Sequence, residues 1–374
     1  VVAANLELFL FARYVKPDLL FIFQILVAFT GFILAYRGAG RGALLFTYAA
    51  LGLAVLAKDI LGAVGPALAI ALFFLLTRER QVRAQWVPWA GLGLFLIIAV
   101  PWYLAVEFQN RGFLWYTVVD NHLLNFTRQR LFPDEDIPLT PQEFLGVTAI
   151  GFFPWSLMVP WAVARALRRP WDTVEARVWL LLGLWSVLVV GFFTLSPVKF
   201  PHYALPAFPA LALLVAKLWE DVLDRAPGAP SARALLILPM IVLAGLAAVG
   251  FVAWRGEVRL PSGTLSLVDV ATRNLEARGQ SAPFPSYGQL QPLFGTLTLI
   301  FGAGALGLAV AVWRRLPRVG LGMLLAVMLA FLPVTVEGLA LFSQSRSVKV
   351  MAEAVLARAG ATDVVVHEGP LENS

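Results

Sequence analysis

Long apolar stretches recur along this chain and are separated by short polar connections. A helix of roughly 20 apolar residues crosses the ~30 Å hydrocarbon layer of a membrane. Ten candidate stretches lie at 19–36, 43–57, 60–76, 86–106, 144–164, 178–195, 203–219, 234–253, 291–313 and 320–342. Helices are predicted rather than strands, because an open sheet would leave backbone hydrogen-bonding groups unpaired in lipid. The pattern therefore predicts an all-α polytopic membrane protein with about ten transmembrane helices.

The composition supports this interpretation, because 59% of the 374 residues are apolar, 14% are charged and none is cysteine. Soluble domains are nearer half apolar and a quarter charged. An ordinary soluble domain, a disordered chain and a disulfide scaffold are therefore excluded. The formal net charge is +6, but membrane proteins concentrate basic residues in cytoplasmic loops, so no nucleic-acid partner is predicted.

The charge of the connections alternates along the chain. Every second connection is short and rich in arginine, and together these hold 15 basic and six acidic residues: 37–42, 77–85, 165–177, 217–233 and 314–319. The positive-inside rule assigns them to the cytoplasm. The opposite face then holds 1–18, the Lys58-Asp59 turn, 107–143, 196–202, 254–290 and the tail from 343. We expect a multi-pass protein of the inner membrane whose polar site faces the periplasm or exterior.

Two domains are predicted, a transmembrane domain at 1–342 and the start of an outer α/β domain at 343–374. The tail combines a helix-like stretch at 348–359 with the strand-like composition of 363–367. Residues 1–12 are interpreted as the end of an earlier span. The chain is therefore expected to be a piece of a longer protein, with its first outer loop and the rest of the tail domain lying outside it.

The polar residues of the outer face come from segments far apart in the sequence. Few groups within the spans are ionisable, whereas ion-coupled transporters place charged groups at the membrane midplane. Asp18 immediately precedes a span, where it either favours the positive end of the helix dipole or serves at a functional site. The hairpin turn Lys58-Asp59 also has two interpretations. In the structural one, Asp59 caps the second helix and the Lys58 side chain extends to water. In the functional one, Lys58 binds substrate.

The first long outer loop contains two amphipathic stretches, 113–119 and 123–126, which predict interfacial helices. It also carries His122, which is either a metal ligand or an ordinary loop histidine. Arg128 and Arg130 follow, and they contact either a substrate phosphate or lipid headgroups.

The segment Ser196–Tyr203 is the most specific part of the outer face. Pro197 and Pro201 break or kink the flanking helices, which exposes backbone in a short turn. Three side chains suited to ligand binding lie in this turn: Lys199, His202 and Tyr203. Kinks alone explain the prolines but not this combination. Because a lysine supplies the point charge that a phosphoryl group needs, the turn predicts a phosphate site.

These motifs stand in the same order in the GT-C glycosyltransferases, which the chain resembles. The shared elements are Arg13…Asp18 before a span, the lysine-containing hairpin, Pro101-Trp102-Tyr103, Asn121–Phe126, Pro154-Trp155 and Ser196–Pro209. The resemblance runs from Arg13 to the tail and is nearest to the lipid A aminoarabinose transferases and the bacterial protein O-mannosyltransferase-like group. Two departures are Asn125, where relatives often have arginine, and Lys58-Asp59 in place of Lys-Gly.

The resemblance implies an enzyme that moves a sugar from a polyprenyl-phosphate donor to lipid A, another glycolipid or glycan, or a protein. It implies a catalytic role for Asp18 and a metal-ligand role for His122, with a divalent metal as the cofactor. Lys199 and Tyr203 match the segment that contacts the lipid phosphate. It also implies that the principal catalytic carboxylate belongs to the first outer loop, before this chain begins.

This chemistry suits a site at the membrane surface. Departure of the leaving group puts negative charge on a lipid phosphate, which cations such as Lys199, Arg128 or Arg130, or a metal, would stabilise. The polyprenyl tail needs an apolar groove open to the bilayer, whereas the headgroup needs water. A flippase for lipid-linked sugars is the alternative, but it requires polar groups along a path through the spans. A non-catalytic scaffold would leave the Ser196–Tyr203 turn unexplained.

Overall fold

The computed structural model describes residues 1–13, 16–78, 83–132, 136–256, 266–347 and 349–360. Every regular element in these ranges is helical, and none is a strand. The α-helices are α1 (Leu6–Phe11), α2 (Asp18–Leu34), α3 (Arg41–Ala57), α4 (Leu61–Thr77), α5 (Arg83–Trp86), α6 (Trp89–Gln109), α7 (Pro141–Gly151), α8 (Val159–Leu167), α9 (Val174–Leu195), α10 (Phe208–Leu223), α11 (Ala232–Arg255), α12 (Val270–Ala277), α13 (Tyr287–Arg314), α14 (Pro317–Arg346) and α15 (Lys349–Leu356). Between them lie 3-10 turns at Val2–Ala4, Trp155–Met158 and Pro201–Ala207, and π-helical segments at Ala35–Ala39 and Trp115–Leu124. The predicted all-α class is confirmed.

Many of the helices are apolar along most of their length, as membrane-spanning helices are. In the described part of the chain, seven are long and apolar enough to cross a membrane: Asp18–Ala39, α6, α9, Pro201–Leu223, α11, α13 and α14. The shorter apolar helices α3 and α4 form the predicted hairpin around Lys58-Asp59. Each of the ten predicted stretches coincides with helix, so the polytopic class is confirmed. The count of about ten spans is not confirmed, since length and composition support seven, or eight if one bent pair is a single span.

The stretch predicted as one span at 144–164 is bent. Helix α7 ends at Gly151, and the helical run Trp155–Leu167 leaves it at an angle of 107°. Pro154 lies at the break and has no N–H to continue the hydrogen-bond ladder of α7. Phe153 instead donates to Ile150 O at 3.1 Å, a tighter turn than the α-helix makes. The sequence predicted one span at 144–164 but not this bend, because the hydropathy of an apolar run does not report its backbone geometry.

Residues 1–12, predicted as the end of an earlier span, do not form one continuous helix. Asn5 is extended, with φ −105° and ψ 127°, and separates the 3-10 turn Val2–Ala4 from α1. Its Oδ1 accepts a hydrogen bond from Leu8 N–H at 2.9 Å and so caps α1. With only six residues, α1 is too short to cross a membrane.

The core is formed where α2, α9 and α10 meet the bent pair. Phe29 of α2 stacks on Trp185 of α9 with ring centroids 4.0 Å apart. Helices α2 and α3 approach closely at Gly31, since a Cβ there would lie 2.7 Å from Thr47 Oγ1. Small residues at a helix contact let two backbones come together in lipid, where apolar burial supplies no force between helices. This packing brings the start of α2 beside the end of α3.

The outer loop and the tail agree with the sequence only in part. Residues 115–124 form one π-helical segment that joins the two predicted amphipathic stretches. Helix α14 extends to Arg346, past the predicted domain boundary at 342, and α15 lies inside the predicted helix 348–359. The predicted strand at 363–367 lies outside the described residues.

Candidate functional site

A cleft of about 400 Å³ opens between the start of α2, the α3–α4 turn, the π-helical segment and the end of α9. One part of its wall is apolar and is lined by Phe21, Ile25, Leu61, Val64, Leu68, Trp185, Leu188, Val189, Phe192 and Phe193, among others. The other part is polar and is lined by Lys58, Asp59, Asn121, His122, Asn125, His202 and Tyr203, among others. Segments separated by up to about 180 residues in sequence thus converge on one site, as the sequence predicted for its outer face.

Lys58 and Asp18 form an ion pair at the polar part of the cleft. Lys58 Nζ lies 2.5 Å from Asp18 Oδ1, and the Asp18 side chain is buried whereas that of Lys58 is 28% exposed. The ammonium also lies 5.5 Å from the ring centroid of Tyr203 and 5.6 Å from that of Phe21, within cation–π range. Asp18 occupies the first turn of α2, where the helix dipole favours a negative charge. The structural interpretation of Asp18 therefore agrees with its position, and its functional role stays a prediction.

His202 and Tyr203 stand together on the 3-10 turn that precedes α10. Their rings are 5.0 Å apart and nearly perpendicular, and Phe11 of α1 lies 5.6 Å from His202. Because the turn begins at Pro201, the chain enters the cleft in a fixed orientation. Two of the three residues singled out in the Ser196–Tyr203 segment therefore face the same cleft as Lys58.

Asp59 and His122 face each other across the cleft. His122 Nε2 lies 4.0 Å from Asp59 Oδ2, while Asp59 Oδ1 accepts a hydrogen bond from Leu61 N–H at 2.8 Å and caps α4. His122 Nδ1 is 2.6 Å from Thr117 O, so it carries the proton and leaves the Nε2 lone pair directed at the carboxylate. An imidazole nitrogen and a carboxylate oxygen at this separation fit two ligands of a divalent metal. No group of three or more such side chains occurs among the described residues, so other ligands would be needed.

Asp59 is the functional candidate that sequence reasoning missed. The sequence assigned it only the role of a helix cap, and the structure shows that the cap uses one carboxylate oxygen. The second oxygen faces His122, about 60 residues away in the sequence. A signal was present, since Asp59 replaces the glycine of the commoner Lys-Gly, but only the fold reveals its partner.

Lys199 lies apart from the residues that line the cleft. It is 3% exposed, and its backbone carbonyl accepts a hydrogen bond from Leu139 N–H at 3.0 Å. Burial and, to a smaller extent, the nearby charge of Arg128 lower the pKa of Lys199. Within the described part of the chain, no carboxylate forms an ion pair with its ammonium group. Of the two lysines singled out from the sequence, Lys58 lines the cleft, whereas Lys199 is buried and does not line it.

Arg130 and Arg128 have different surroundings. Arg130 Nε lies 3.3 Å from Oδ2 of the fully buried Asp120. Asp120 Oδ1 accepts a hydrogen bond from Leu131 N–H at 2.6 Å, so this pair holds the loop in place. Arg128 is exposed and adopts a positive φ of 59°. Of the two arginines predicted to bind substrate, Arg128 is the more accessible.

The fold and the cleft define a polytopic membrane protein with a cleft that is apolar in one part and polar in the other. Residues 1–117 match the family described as dolichyl-phosphate-mannose-protein mannosyltransferase. The crystal structure of ArnT from Cupriavidus metallidurans bound to undecaprenyl phosphate superposes with a TM-score of 0.70 at 22% identity. The superposition covers 96% of this chain and 60% of the ArnT chain. The apo structure of the same ArnT superposes with a TM-score of 0.67. The resemblance stated from the sequence is confirmed.

Two curated relatives are undecaprenyl phosphate-alpha-4-amino-4-deoxy-L-arabinose arabinosyl transferases. That of Erwinia tasmaniensis is 28% identical over 252 residues, which are 66% of this chain and 44% of the relative. Transferase 2 of Pseudomonas fluorescens is 30% identical over 251 residues, which are 63% of this chain and 42% of the relative. The chain therefore spans less than half the length of these relatives.

Proposed function

We propose that this chain forms the membrane part of a glycosyltransferase that takes a sugar from a polyprenyl-phosphate donor. The donor is of the undecaprenyl-phosphate class, and the acceptor is lipid A, another glycolipid or glycan, or a protein at the outer face of the inner membrane. The names of the relatives support the transferase and give no support to the flippase alternative.

The division of the cleft into an apolar and a polar part carries this proposal. A polyprenyl phosphate has a long hydrocarbon tail joined to a phosphate, so it needs an apolar groove that ends at a cation. The cleft provides the groove between Phe21 and Phe193 and the cation at Lys58. An ammonium held by Asp18 and two aromatic rings is already oriented before the ligand arrives, which lowers the entropic cost of binding.

The charges around the cleft suit departure of a phosphate leaving group. Negative charge grows on the phosphate as the glycosidic bond breaks, and a fixed cation stabilises it most in that state. Lys58 acts from the cleft, and the buried Lys199 adds a second positive charge one residue after Val198, which lines the cleft. Asp18 accepts a hydrogen bond from Lys58 Nζ, so its carboxylate holds the ammonium in position at the cleft.

A divalent metal fits between Asp59 and His122. When bound, it would supply Lewis-acid stabilisation of the phosphate charge. The chain's own contribution is to orient the two ligands. Thr117 O fixes the tautomer of His122 through Nδ1, and the Leu61 N–H fixes the rotation of the Asp59 carboxylate.

The proposal is tested by binding of undecaprenyl phosphate to the purified chain in detergent, measured by native mass spectrometry. The double variant Lys58→Gln/Asp18→Asn removes the cation without leaving a buried lone carboxylate. We expect it to weaken binding about 10- to 100-fold, the loss typical of a hydrogen bond to a charged group. The matched control is Lys349→Gln, whose side chain is 77% exposed and remote in sequence from the cleft. Equal affinity of the two variants would reject the cleft as the donor site.

A further inference from the structure

A second pocket of about 420 Å³ lies between the end of α8, the start of α9 and the end of α10. It is at the other end of the helix bundle from the cleft. Asp18, at the cleft, begins α2, whereas Tyr36, past its end, accepts a hydrogen bond from Arg177 next to the pocket at 3.2 Å. Eighteen helical residues span roughly 27 Å, close to the thickness of the hydrocarbon layer. The charge alternation of the connections assigns this end to the cytoplasm.

The pocket has a surplus of positive charge. Its charged lining residues are Arg165, Arg168, Arg169, Lys217, Glu175 and Asp221. Arg165 Nε lies 2.5 Å from Asp221 Oδ2, and Lys217 Nζ lies 3.4 Å from Glu175 Oε1, so two of the four cations are balanced. Among the described residues, neither Arg168 nor Arg169 forms an ion pair with a carboxylate. Two exposed guanidinium groups at one pocket are suited to an anion.

The aromatic side chains of the pocket support the same ligand. The Arg169 guanidinium lies 4.9 Å from the ring centroid of Trp171, which holds it at the pocket wall. The buried indole Nε1 of Trp171 has no hydrogen-bond partner in the described part of the chain. A buried N–H donor without a partner costs free energy unless a ligand or water accepts from it. Arg168 and Arg169 therefore offer the exposed donors that phosphate oxygens accept.

A smaller neighbouring pocket of about 230 Å³ shares Arg165 and Arg168 with the first. Its remaining wall is largely apolar and includes Pro160, Trp161 and Ala164. The paired pockets thus combine an anion site with an apolar site at the level where tryptophans mark the membrane interface. A phospholipid presents the same combination, a phosphate diester beside its glycerol and acyl chains.

We propose that this pocket binds a phosphate ester at the cytoplasmic face, supplied by the headgroup of an anionic phospholipid. Basic pockets between membrane helices on the cytoplasmic side are suited to such headgroups. Arg168 and Arg169 contact the phosphate oxygens, and the neighbouring apolar pocket receives the start of the acyl region. The ligand stabilises the junction of α8, α9 and α10 and takes no part in chemistry at the cleft.

The test uses the purified chain in detergent and native mass spectrometry with added phosphatidylglycerol, phosphatidylcholine or inorganic phosphate. The variant is Arg168→Gln/Arg169→Gln. The control is Arg314→Gln/Arg315→Gln, an arginine pair of which one member also lies 4.9 Å from a tryptophan ring but which does not line the pocket. We expect preferential binding of phosphatidylglycerol, weakened about 10- to 30-fold in the variant and unchanged in the control.

The arms of the experiment distinguish the sources of the phosphate. If inorganic phosphate binds alone and requires Arg168 and Arg169, the site takes a soluble phosphate and the lipid assignment is overturned. Equal binding of phosphatidylglycerol to both variants, or no preference over phosphatidylcholine, overturns the site itself. None of these results depends on binding of undecaprenyl phosphate at the cleft.

Discussion

Lys58 Nζ lies 2.5 Å from Asp18 Oδ1, so the end of α3 is joined to the start of α2 by an ion pair across 40 residues of sequence. The carboxylate is buried, and the ammonium retains contact with the cleft. Such a pair has two separable roles: it satisfies a buried charge, and it presents a cation to a ligand. Stability and binding measurements on the same variants therefore report different things.

The first prediction separates these roles with a double-mutant cycle. Lys58→Gln alone leaves the Asp18 carboxylate buried without its partner and should cost about 1–3 kcal/mol of stability. Adding Asp18→Asn should recover most of this loss, because the lone charge is gone. Thermal unfolding in detergent measures the cycle. If both single variants and the double variant unfold at one temperature, the pair does not contribute to the fold.

The second prediction concerns Lys199, which the sequence identified as the phosphate ligand. If its buried ammonium acts on the donor phosphate, Lys199→Gln should slow transfer by about 30- to 1,000-fold. An exposed interface lysine would contribute on the order of 0–1 kcal/mol. Transfer rate and donor affinity of Lys199→Gln are compared with those of Lys58→Gln/Asp18→Asn. A near-normal Lys199 variant would assign the phosphate to Lys58 and Arg128.

The surroundings of Lys199 add a pH dependence to this prediction. Since burial and Arg128 lower the pKa of Lys199, its positive charge is lost at a lower pH than that of an ordinary lysine. Arg128→Gln removes one of these causes, so the pKa should rise and the alkaline loss of donor binding should move to higher pH. An alkaline limb that does not move would show that a different group titrates.

The third prediction concerns the metal. Asp59→Asn and His122→Gln should each weaken binding of Zn²⁺ or Mn²⁺ by at least about 10-fold, measured by isothermal titration calorimetry without substrate. His202→Gln is the control, because His202 lines the cleft but does not face Asp59. Loss of affinity in all three variants would indicate nonspecific binding in the cleft.

The sequence predicted the helices well because the hydropathy of a segment is set by its own residues and does not depend on how the segment packs. It did not predict the 107° bend at Pro154, since a proline changes backbone geometry without lowering the apolar character of the run. It located the outer polar segments but not their pairing. The contacts of Asp59 with His122 and of Asp120 with Arg130 depend on packing of loops, which no local pattern encodes. The sequence singled out the turn that holds Lys199, His202 and Tyr203, but which of these side chains lines the cleft depends on the rotation of that turn.

The fourth prediction concerns orientation. The charge alternation places Gln142 and Gly360 on the same, non-cytoplasmic side. Both positions are exposed, and the chain contains no cysteine that would give a background signal. Single cysteines at the two positions should both react with an impermeant thiol reagent in intact cells. A cysteine at the exposed Arg318, in the cytoplasmic connection 314–319 of this topology, should react only after the membrane is permeabilised. Labelling of only one outer position would contradict the assignment.

The fifth prediction concerns Glu7, whose carboxylate is buried between α1 and α7. Neither oxygen has a hydrogen-bond partner in the described part of the chain, and a Cβ at Gly151 would overlap Glu7 Oε2. Burial raises the pKa of Glu7 well above its ordinary value, so the folded chain holds this proton more tightly than the unfolded chain does. The stability that protonated Glu7 contributes is complete below the pKa of a glutamate in the unfolded chain, about 4.3. It is lost as the pH rises through the raised pKa of Glu7 in the folded chain.

Glu7→Gln is uncharged at every pH and nearly the same size, so it should be more stable than the parent chain above that range. The difference in unfolding temperature should widen as the pH rises and then become constant. Glu353→Gln is the matched control, because the side chain of Glu353 is 63% exposed. Parallel stability curves for the parent chain and Glu7→Gln would mean that Glu7 ionises without cost, and a polar partner for its carboxylate would then have to exist. Gly151→Ala should destabilise the chain at every pH, since its added methyl group overlaps the carboxyl group in either protonation state.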